Sequence, residues 1–444
     1  MSTPTIDVRE TARSAMKSAL QKGAKEAAAT VNRTRNVTVE WRDGKVEKMN
    51  EATTRRLTLQ LYVDGRYSQV SSSDLRPEAL STFIGDSITM TRALAEDPFR
   101  SLPDPALYEG RAAVDLQLED PAYPTVTPEQ RREATRQMEE AARAVKGAEA
   151  ILSVSTGFDD TRTESFRVAS NGFEGARVDT AFFVYAEVSA KDADGRRPED
   201  SAFAGARFLG EVPVVADVGR EAAERAISRL GARKPPSAVM TLVVDNRAAG
   251  RLMGALGSPL TGAALQQKRS FLEGRLGQTI GSPLLDVADD PLVPRALGSR
   301  LYDSEGLAAR KRTIFDKGIL RSYYIDTYYG KKLKMAPTSG GISNLAWSLG
   351  PKSQAGILKD VGEGILVTTF IGGNSNGTTG DYSFGAQGFR IRGGERQEPV
   401  SEMNIAGNML ELLKKLAAVG NDPFPYSSGR TPTLVFEGVQ FAGV

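Results

Sequence analysis

Carboxylates and hydroxyls are the reactive side chains that this sequence offers, because its 444 residues include no histidine and no cysteine. A Ser-His-Asp triad needs an imidazole base, and a thiolate nucleophile or a disulfide needs cysteine. Protein zinc sites are built largely from the same two residue types. The composition therefore excludes most familiar hydrolytic chemistry from this chain.

One acidic region, between residues 286 and 305, could support chemistry of another kind. It contains Asp286, Asp289, Asp290, Asp303 and Glu305. Carboxylates alone can hold magnesium or calcium, but the twelve-residue spacing of a calcium loop is absent. The runs DDP and DSEG favour turns in which an aspartate accepts hydrogen bonds from nearby backbone N–H groups. We interpret the region as turns, and keep as an alternative an autonomous enzyme that would depend on residues 289, 290, 303 and 305.

A serine–lysine pair and a glycine-rich loop are the remaining candidates. Ser14 and Lys17 have the S-x-x-K spacing that places both on one helical face, but the companion S-D-N and K-T-G motifs are missing, which favours ordinary exposed helix residues. The loop Gly372–Gly380 (GGNSNGTTG) lacks the spacing of nucleotide-binding loops. Its bare backbone favours either tight turns or the close approach of another chain that adds a strand to a sheet.

The amino-terminal elements are predicted from periodicity and turn signals. Apolar and small residues recur at helical spacing over residues 5–22, which predicts an amphipathic helix. Asp-Gly pairs at 43–44 and 64–65 each separate alternating segments, which predicts four antiparallel strands in two hairpins. A second helix is expected from Asp74 to about Leu94. Proline-rich residues 97–128 then indicate a connection between domains.

The rest of the chain alternates helices with strand-like segments. A central unit is expected to contain a helix over 128–146, strands joined by a polar turn at Asp159 and Asp160, and a helix over 218–230. After the break at Pro235 and Pro236, glycines between short β-prone runs predict a curled, mostly antiparallel sheet with a helix over 408–419. The fold class is thus α+β, with domains at 1–96, 97–234 and 235–444.

Charge and hydropathy argue against nucleic acid and membrane partners. The chain has 57 basic and 55 acidic residues, a net charge of +2, so it has no excess charge for a polyanion. No apolar run approaches the roughly 18 residues of a spanning helix, and the first residues lack the apolar core of a signal peptide. A soluble cytoplasmic protein is expected.

The carboxyl-terminal third carries three segments that resemble the closing signature of the TldD/PmbA family, the group once called modulators of gyrase. They are Gly380–Phe389 (GDYSFGAQGF), Glu398–Asn408 (EPVSEMNIAGN) and Val419–Asp422 (VGND). Shorter supporting segments occur in the same order along most of the chain: Arg42–Gly44, Val63–Gly65, Asp289–Pro291, Asp303–Gly306 and Lys317–Leu320.

The family has two types of subunit, TldD and TldE, and the resemblance implies that this chain is of the TldE type. The TldD type carries an H-E-x-x-x-H helix whose histidines hold a metal, and the TldE type is similar but lacks this motif. The segment expected to correspond to it here, Asn246–Pro259, has Gly254 and Ala255 at the first His and Glu and Pro259 near the second His. We call this segment the motif segment. The resemblance therefore implies no catalytic and no metal-binding residue in this chain.

A TldE-type chain implies a partner and a substrate class. The expected partner is a TldD-type paralogue that forms a heterodimer with this chain and carries the zinc, so no cofactor is expected in the chain itself. The expected substrate is an extended peptide, either unfolded or a precursor. Residues expected to contact the peptide or the partner are Gly372, Gly373, Asn374, Gly380, Asp381, Gly385 and Phe389. The alternative function is a stand-alone protein-binding regulator of the gyrase-modulator type.

Overall fold

The computed structural model of the chain describes residues 7–444, so residues 5 and 6 of the first predicted helix lie outside it. The helices are α1 (Val8–Gln21), α2 (Pro77–Arg92), α3 (Pro128–Arg143), α4 (Val215–Ile227), α5 (Asn246–Met253), α6 (Gly262–Gln266), α7 (Thr327–Leu333), α8 (Gln354–Asp360) and α9 (Met409–Lys414). None of the helices within residues 7–444 has the length and apolar character needed to cross a membrane.

The strands fall into two six-stranded sheets and a small four-stranded sheet. They are β1 (Glu26–Arg42), β2 (Lys45–Val63), β3 (Arg66–Ser72), β4 (Ile151–Ala169), β5 (Glu174–Ala190), β6 (Glu199–Ala206), β7 (Ala238–Val244), β8 (Val287–Asp289), β9 (Arg312–Asp316), β10 (Ile319–Leu320), β11 (Leu345–Trp347), β12 (Glu363–Ser375), β13 (Asp381–Arg392), β14 (Glu395–Asn408), β15 (Leu416–Val419) and β16 (Leu434–Ala442). Largely antiparallel sheets combined with helices confirm the predicted α+β class.

The amino-terminal sheet has the order β3-β2-β1-β4-β5-β6, and β1 pairs with β4 along almost its whole length. Both Asp-Gly pairs form the predicted turns, with positive φ at all four residues. The prediction of four strands here was wrong, because β2 runs unbroken from the first turn to the second. It contains no glycine or proline, so its polar residues continue the strand rather than interrupt it.

The predicted polar turn at Asp159 and Asp160 was also wrong, because both residues lie within the continuous strand β4. The Asp160 side chain is fully buried and pairs with the equally buried Arg131 of α3. An aspartate in mid-strand normally favours a turn, but here the guanidinium of a packed helix compensates its charge.

Helices cover one face of this sheet and leave the other polar. The pairs α1/α2 and α3/α4 pack on residues such as Leu59, Leu61, Phe182 and Val184. Because strand side chains alternate between faces, the opposite face carries the polar residues of β1. These are Thr30, Asn32, Thr34, Asn36 and Thr38. The polar face is therefore available to line clefts.

The carboxyl-terminal sheet has the order β14-β13-β12-β7-β16-β15, and an additional pairing of β14 with β16 closes five of its strands into a ring. This matches the predicted curled sheet. The predicted helix over 408–419 was wrong in its second half, where Leu416–Val419 forms β15 against β16. An apolar run of this length fits either structure, and the neighbouring strand decides between them.

Candidate functional site

The motif segment begins as a helix but does not remain one. The Asp245 side chain caps α5 by accepting a hydrogen bond from the Arg247 backbone N–H at 2.9 Å. The helix ends at Met253, and a single 3-10 turn follows, because this part of the chain is rich in glycine and ends at Pro259.

The three positions that the resemblance aligns with the metal motif offer no metal ligand. Gly254 is exposed and faces open space, Ala255 is half-buried, and Pro259 is buried. None of the three has a side-chain nitrogen, oxygen or sulfur atom. Within residues 7–444, no group of three or more acidic, histidine or cysteine side chains could hold a metal ion. The residues of this segment do not fit a zinc site.

The glycine-rich loop lies against the end of the motif segment. The Phe271 N–H donates to the Gly377 carbonyl oxygen at 2.9 Å, and a Cβ atom at Gly377 would stand 3.7 Å from Pro259 Cγ. Gly373 must be glycine, because its φ is +79° and a Cβ atom there would lie 2.2 Å from the Ser383 carbonyl oxygen. The fold thus brings together two regions that lie more than a hundred residues apart in the sequence.

The other residues singled out from the sequence have different surroundings. Asp381 is exposed, and hydrogen bonds from Thr379 and Asn408 hold the pKa of its carboxyl below the usual value. Gly380, also with positive φ, is buried beside Asn408. Gly372 and Asn374 are exposed at the end of β12, and Gly385 is half-buried opposite Ile371. Phe389 is only 4% exposed and lies beneath the Arg396 guanidinium.

Strand β12 has an open edge beside α5. Its residues Gly364–Val367 pair in parallel with β7, which then ends as the chain turns into α5. From Thr368 to Gly372, no strand of the described residues lies on the α5 side of β12, and Thr369–Ile371 pair with β13 on its other side. Ile371 on this stretch is 46% exposed. An edge without a partner strand is the requirement for adding a further strand. Two of its carbonyl oxygens already accept hydrogen bonds from arginines: Thr368 from Arg225 at 3.4 Å and Gly372 from Arg251 at 2.8 Å.

An arginine-lined cleft of about 860 Å³ opens along this edge, between β12, α4, α5 and the strands β5 and β6. Six arginines line it: Arg42, Arg197, Arg225, Arg229, Arg247 and Arg251. Three carboxylates line it: Glu187, Glu199 and Asp200. The lining therefore has a net charge of +3, and a concave wall concentrates the field of such charges. We call this cavity the arginine cleft.

Asp200 holds two of these arginines in place. Its carboxylate accepts hydrogen bonds from Arg225 Nε at 3.1 Å and from Arg229 Nε at 2.7 Å. Arg229 also donates to the Thr369 hydroxyl at 2.6 Å, which ties it to the open edge of β12. Burial lowers the pKa of Arg229 despite the opposing effect of Asp200. These side chains form a fixed wall of the arginine cleft.

Two arginines of α5 extend the charge along the cleft. Arg247 pairs with Glu221 and lies over the Phe203 ring at 5.6 Å. Burial lowers its pKa, and repulsion from Arg225 lowers it further. Arg251 Nη2 donates to the Gly372 carbonyl oxygen at 2.8 Å, and no ion pair of residues 7–444 includes Arg251.

This cleft was not predicted from the sequence, although a signal was present. Arg247 and Arg251 are four residues apart on the motif segment, and Arg225 and Arg229 are four residues apart at the end of α4. This spacing places both members of a pair on one helical face. The juxtaposition of the two pairs could not be read from the sequence.

A larger cleft of about 1070 Å³ lies between the polar sheet face and residues 295–305, away from the motif segment. Its carboxylates are held by the fold. Asp303 accepts hydrogen bonds from the N–H groups of residues 305, 306 and 307, and Glu305 accepts from both the N–H and the hydroxyl of Thr327. Burial raises the pKa of Glu305.

We place the candidate site in the arginine cleft, because the larger cleft contains no residue of the motif segment.

The remaining polar candidates are dispersed. Asp289 is buried and accepts from the Ser343 N–H at 3.0 Å, Asp290 lies 3.4 Å from Lys311 Nζ, and Asp286 accepts from Ser348. Ser14 and Lys17 are exposed on α1. These groups do not converge on a common point within the described residues.

We expect Asp303 to stabilise its loop rather than to react. Asp303→Ala should lower the free energy of unfolding by about 2 kcal/mol, because several buried N–H groups lose their acceptor. Asp303→Asn should cost about 1 kcal/mol, because one oxygen remains. Urea unfolding of both variants tests this expectation. Equal stability of wild type and Asp303→Ala would show that the hydrogen bonds contribute nothing.

Profiles of three PmbA/TldA metallopeptidase domains match the chain: domain 1 over residues 27–91, the central domain over 121–230 and the C-terminal domain over 237–443. The chain belongs to the PmbA/TldD family.

Individual proteins agree with this assignment. The chain is 29% identical to "Metalloprotease PmbA" of Escherichia coli O157:H7, covering 94% of this chain and 92% of that protein. It is 39% identical to a Bacteroides thetaiotaomicron protein described as a candidate modulator of DNA gyrase, with a TM-score of 0.95 over 98% of each chain. TldE from Thermococcus kodakarensis shares the fold, with a TM-score of 0.84 at 20% identity over 98% of this chain and 100% of that one.

Proposed function

We propose that this chain is a non-catalytic, TldE-type subunit of a cytoplasmic heterodimeric metallopeptidase that cleaves unfolded or precursor peptides. One observation carries the proposal: the chain has no histidine and no cysteine, and its motif segment has Gly254, Ala255 and Pro259 where the TldD type has ligands and base. The TldD-type partner would supply the zinc and the general base. This chain would shape the path of the substrate.

The open edge of β12 supports a role in holding the peptide. An extended segment added beside Thr369–Ile371 would gain backbone hydrogen bonds that do not depend on its sequence, because this stretch of β12 has no strand on its open side. That mode suits a peptidase that acts on many unfolded chains. Gly372, Gly373 and Asn374 would contact the peptide or the partner at the exposed end of the strand.

A second function is favoured by the relative described as a candidate modulator of DNA gyrase. In that case the chain would act alone as a protein-binding regulator, with no part in proteolysis. Purification of the tagged chain from its native host distinguishes the two, because only the first function requires a His-bearing paralogue in the purified complex.

Reconstitution tests the proposed function directly. An unstructured peptide is incubated with this chain, with a TldD-type paralogue from the same source, and with their mixture, while elemental analysis follows zinc. We expect cleavage by the mixture, loss of cleavage on adding a chelator, and zinc only in the paralogue. A matched control is the paralogue with both motif histidines replaced. Cleavage by the purified chain alone would contradict the proposal.

A further inference from the structure

The open edge of β12 and the arginine cleft are parts of one surface. Thr368, Thr369 and Phe370 line the cleft together with Gly372, so every second side chain of a strand added to this edge could face the guanidinium groups. Arg229 and Arg251 both hydrogen-bond to β12 itself, at Thr369 and Gly372. The positive charge is therefore fixed beside the edge and does not depend on mobile side chains alone.

The arginines are only partly neutralised. Asp200 is shared by Arg225 and Arg229. Glu221 pairs with Arg247, and Glu47 pairs with Arg42. Arg197 and Arg251 line the cleft and take part in no ion pair of residues 7–444. Their guanidinium groups keep donors free for a bidentate carboxylate. An anion placed here would also offset the repulsion between Arg225 and Arg247.

We infer that the arginine cleft selects acidic peptides: an extended segment pairs with β12 while its Asp and Glu side chains bind Arg197 and Arg251. The inference rests on the proposed function in taking the ligand to be a peptide. A single-stranded nucleic acid would meet the same positive charge, but the open strand edge offers it no pairing.

Fluorescence anisotropy with the full purified chain tests the inference. The probes are a labelled unstructured 12-residue peptide with four Asp or Glu residues and its Asn/Gln counterpart. We expect the acidic peptide to bind at least about tenfold more tightly at low salt, through charge-assisted hydrogen bonds. That preference should shrink at high salt, because the arginines are near the surface.

A double variant and a control variant test whether the preference for the acidic peptide arises in the arginine cleft. The double variant Arg197→Gln/Arg251→Gln should weaken binding of the acidic peptide about fivefold or more, and change binding of the amide peptide less than about twofold. Arg132→Gln, which removes an exposed arginine from α3, is the matched control and should change neither. The thermal unfolding midpoints of all variants should agree with wild type, because the replaced side chains are exposed.

Four results of the binding experiments would overturn the inference. They are equal affinity for both peptides, no binding of either, a loss with Arg132→Gln as large as with the double variant, and tighter binding of a labelled oligothymidine than of the acidic peptide. Reconstitution separates this inference from the proposed function. If the mixture with the paralogue cleaves acidic and amide peptides at the same rate, the proposed function stands and the acidic preference fails. If the chain prefers the acidic peptide but the mixture cleaves neither peptide, the acidic preference stands and the proposed function fails.

Discussion

Replacing Arg131 by methionine should lower the free energy of unfolding by about 3–5 kcal/mol, because it leaves the Asp160 carboxylate buried without its counter-charge. Both side chains are at most 1% exposed, in the interface between α3 and β4. Arg131 also donates to the Val126 carbonyl oxygen at 2.8 Å, so the loop before α3 loses a hydrogen bond as well. Urea unfolding followed by circular dichroism measures the change.

A double-mutant cycle identifies the cause of this loss. Arg131→Met/Asp160→Leu replaces the ion pair by apolar groups, and should be more stable than either single variant because no unpaired charge is left buried. Arg132→Met is the control, because Arg132 forms an exposed pair with Glu129 and should contribute less than about 1 kcal/mol. If the effects of the two single variants simply add in the double variant, the pairing energy we assign is absent.

Replacing Asp200 by alanine should also cost about 3–5 kcal/mol, because it leaves the Arg225 and Arg229 guanidinium groups facing each other without a shared carboxylate. The Asp200 and Arg229 side chains are each 8% exposed. The same change should disorder the wall of the arginine cleft, so hydrogen exchange should increase in α4 and in β12 near Thr369.

An exposed ion pair on α4, between Asp217 and Arg220, provides the comparison for Asp200. Asp217→Ala removes the partner of Arg220, whose side chain is 50% exposed, and should change stability by less than about 1 kcal/mol. Asp200→Asn should fall between wild type and Asp200→Ala, because the amide oxygen can still accept one hydrogen bond. If Asp200→Ala and Asp217→Ala have the same effect, the cleft wall does not depend on Asp200.

The sequence by itself determined what this chain cannot do. The absence of histidine and cysteine is a fact of composition, and no fold can supply an imidazole or a thiolate that the chain lacks. Local patterns also determined the α+β class and the two Asp-Gly turns, because turn conformation and strand alternation depend on neighbouring residues. That Gly254, Ala255 and Pro259 stand in place of a metal motif is what the family resemblance implies, and it stays a prediction.

Only the tertiary structure decided the burial of Asp160, the end of α9 and the place of the arginine cleft. Each depends on contacts between distant segments: Arg131 compensates Asp160, β16 draws Leu416–Val419 into a strand, and β7 leaves the edge of β12 open after Val367. Arg225 of α4 and Arg251 of α5 line the same cleft because both helices lie beside that edge. Charge pairing and strand pairing act through space, so periodicity along the chain does not record them.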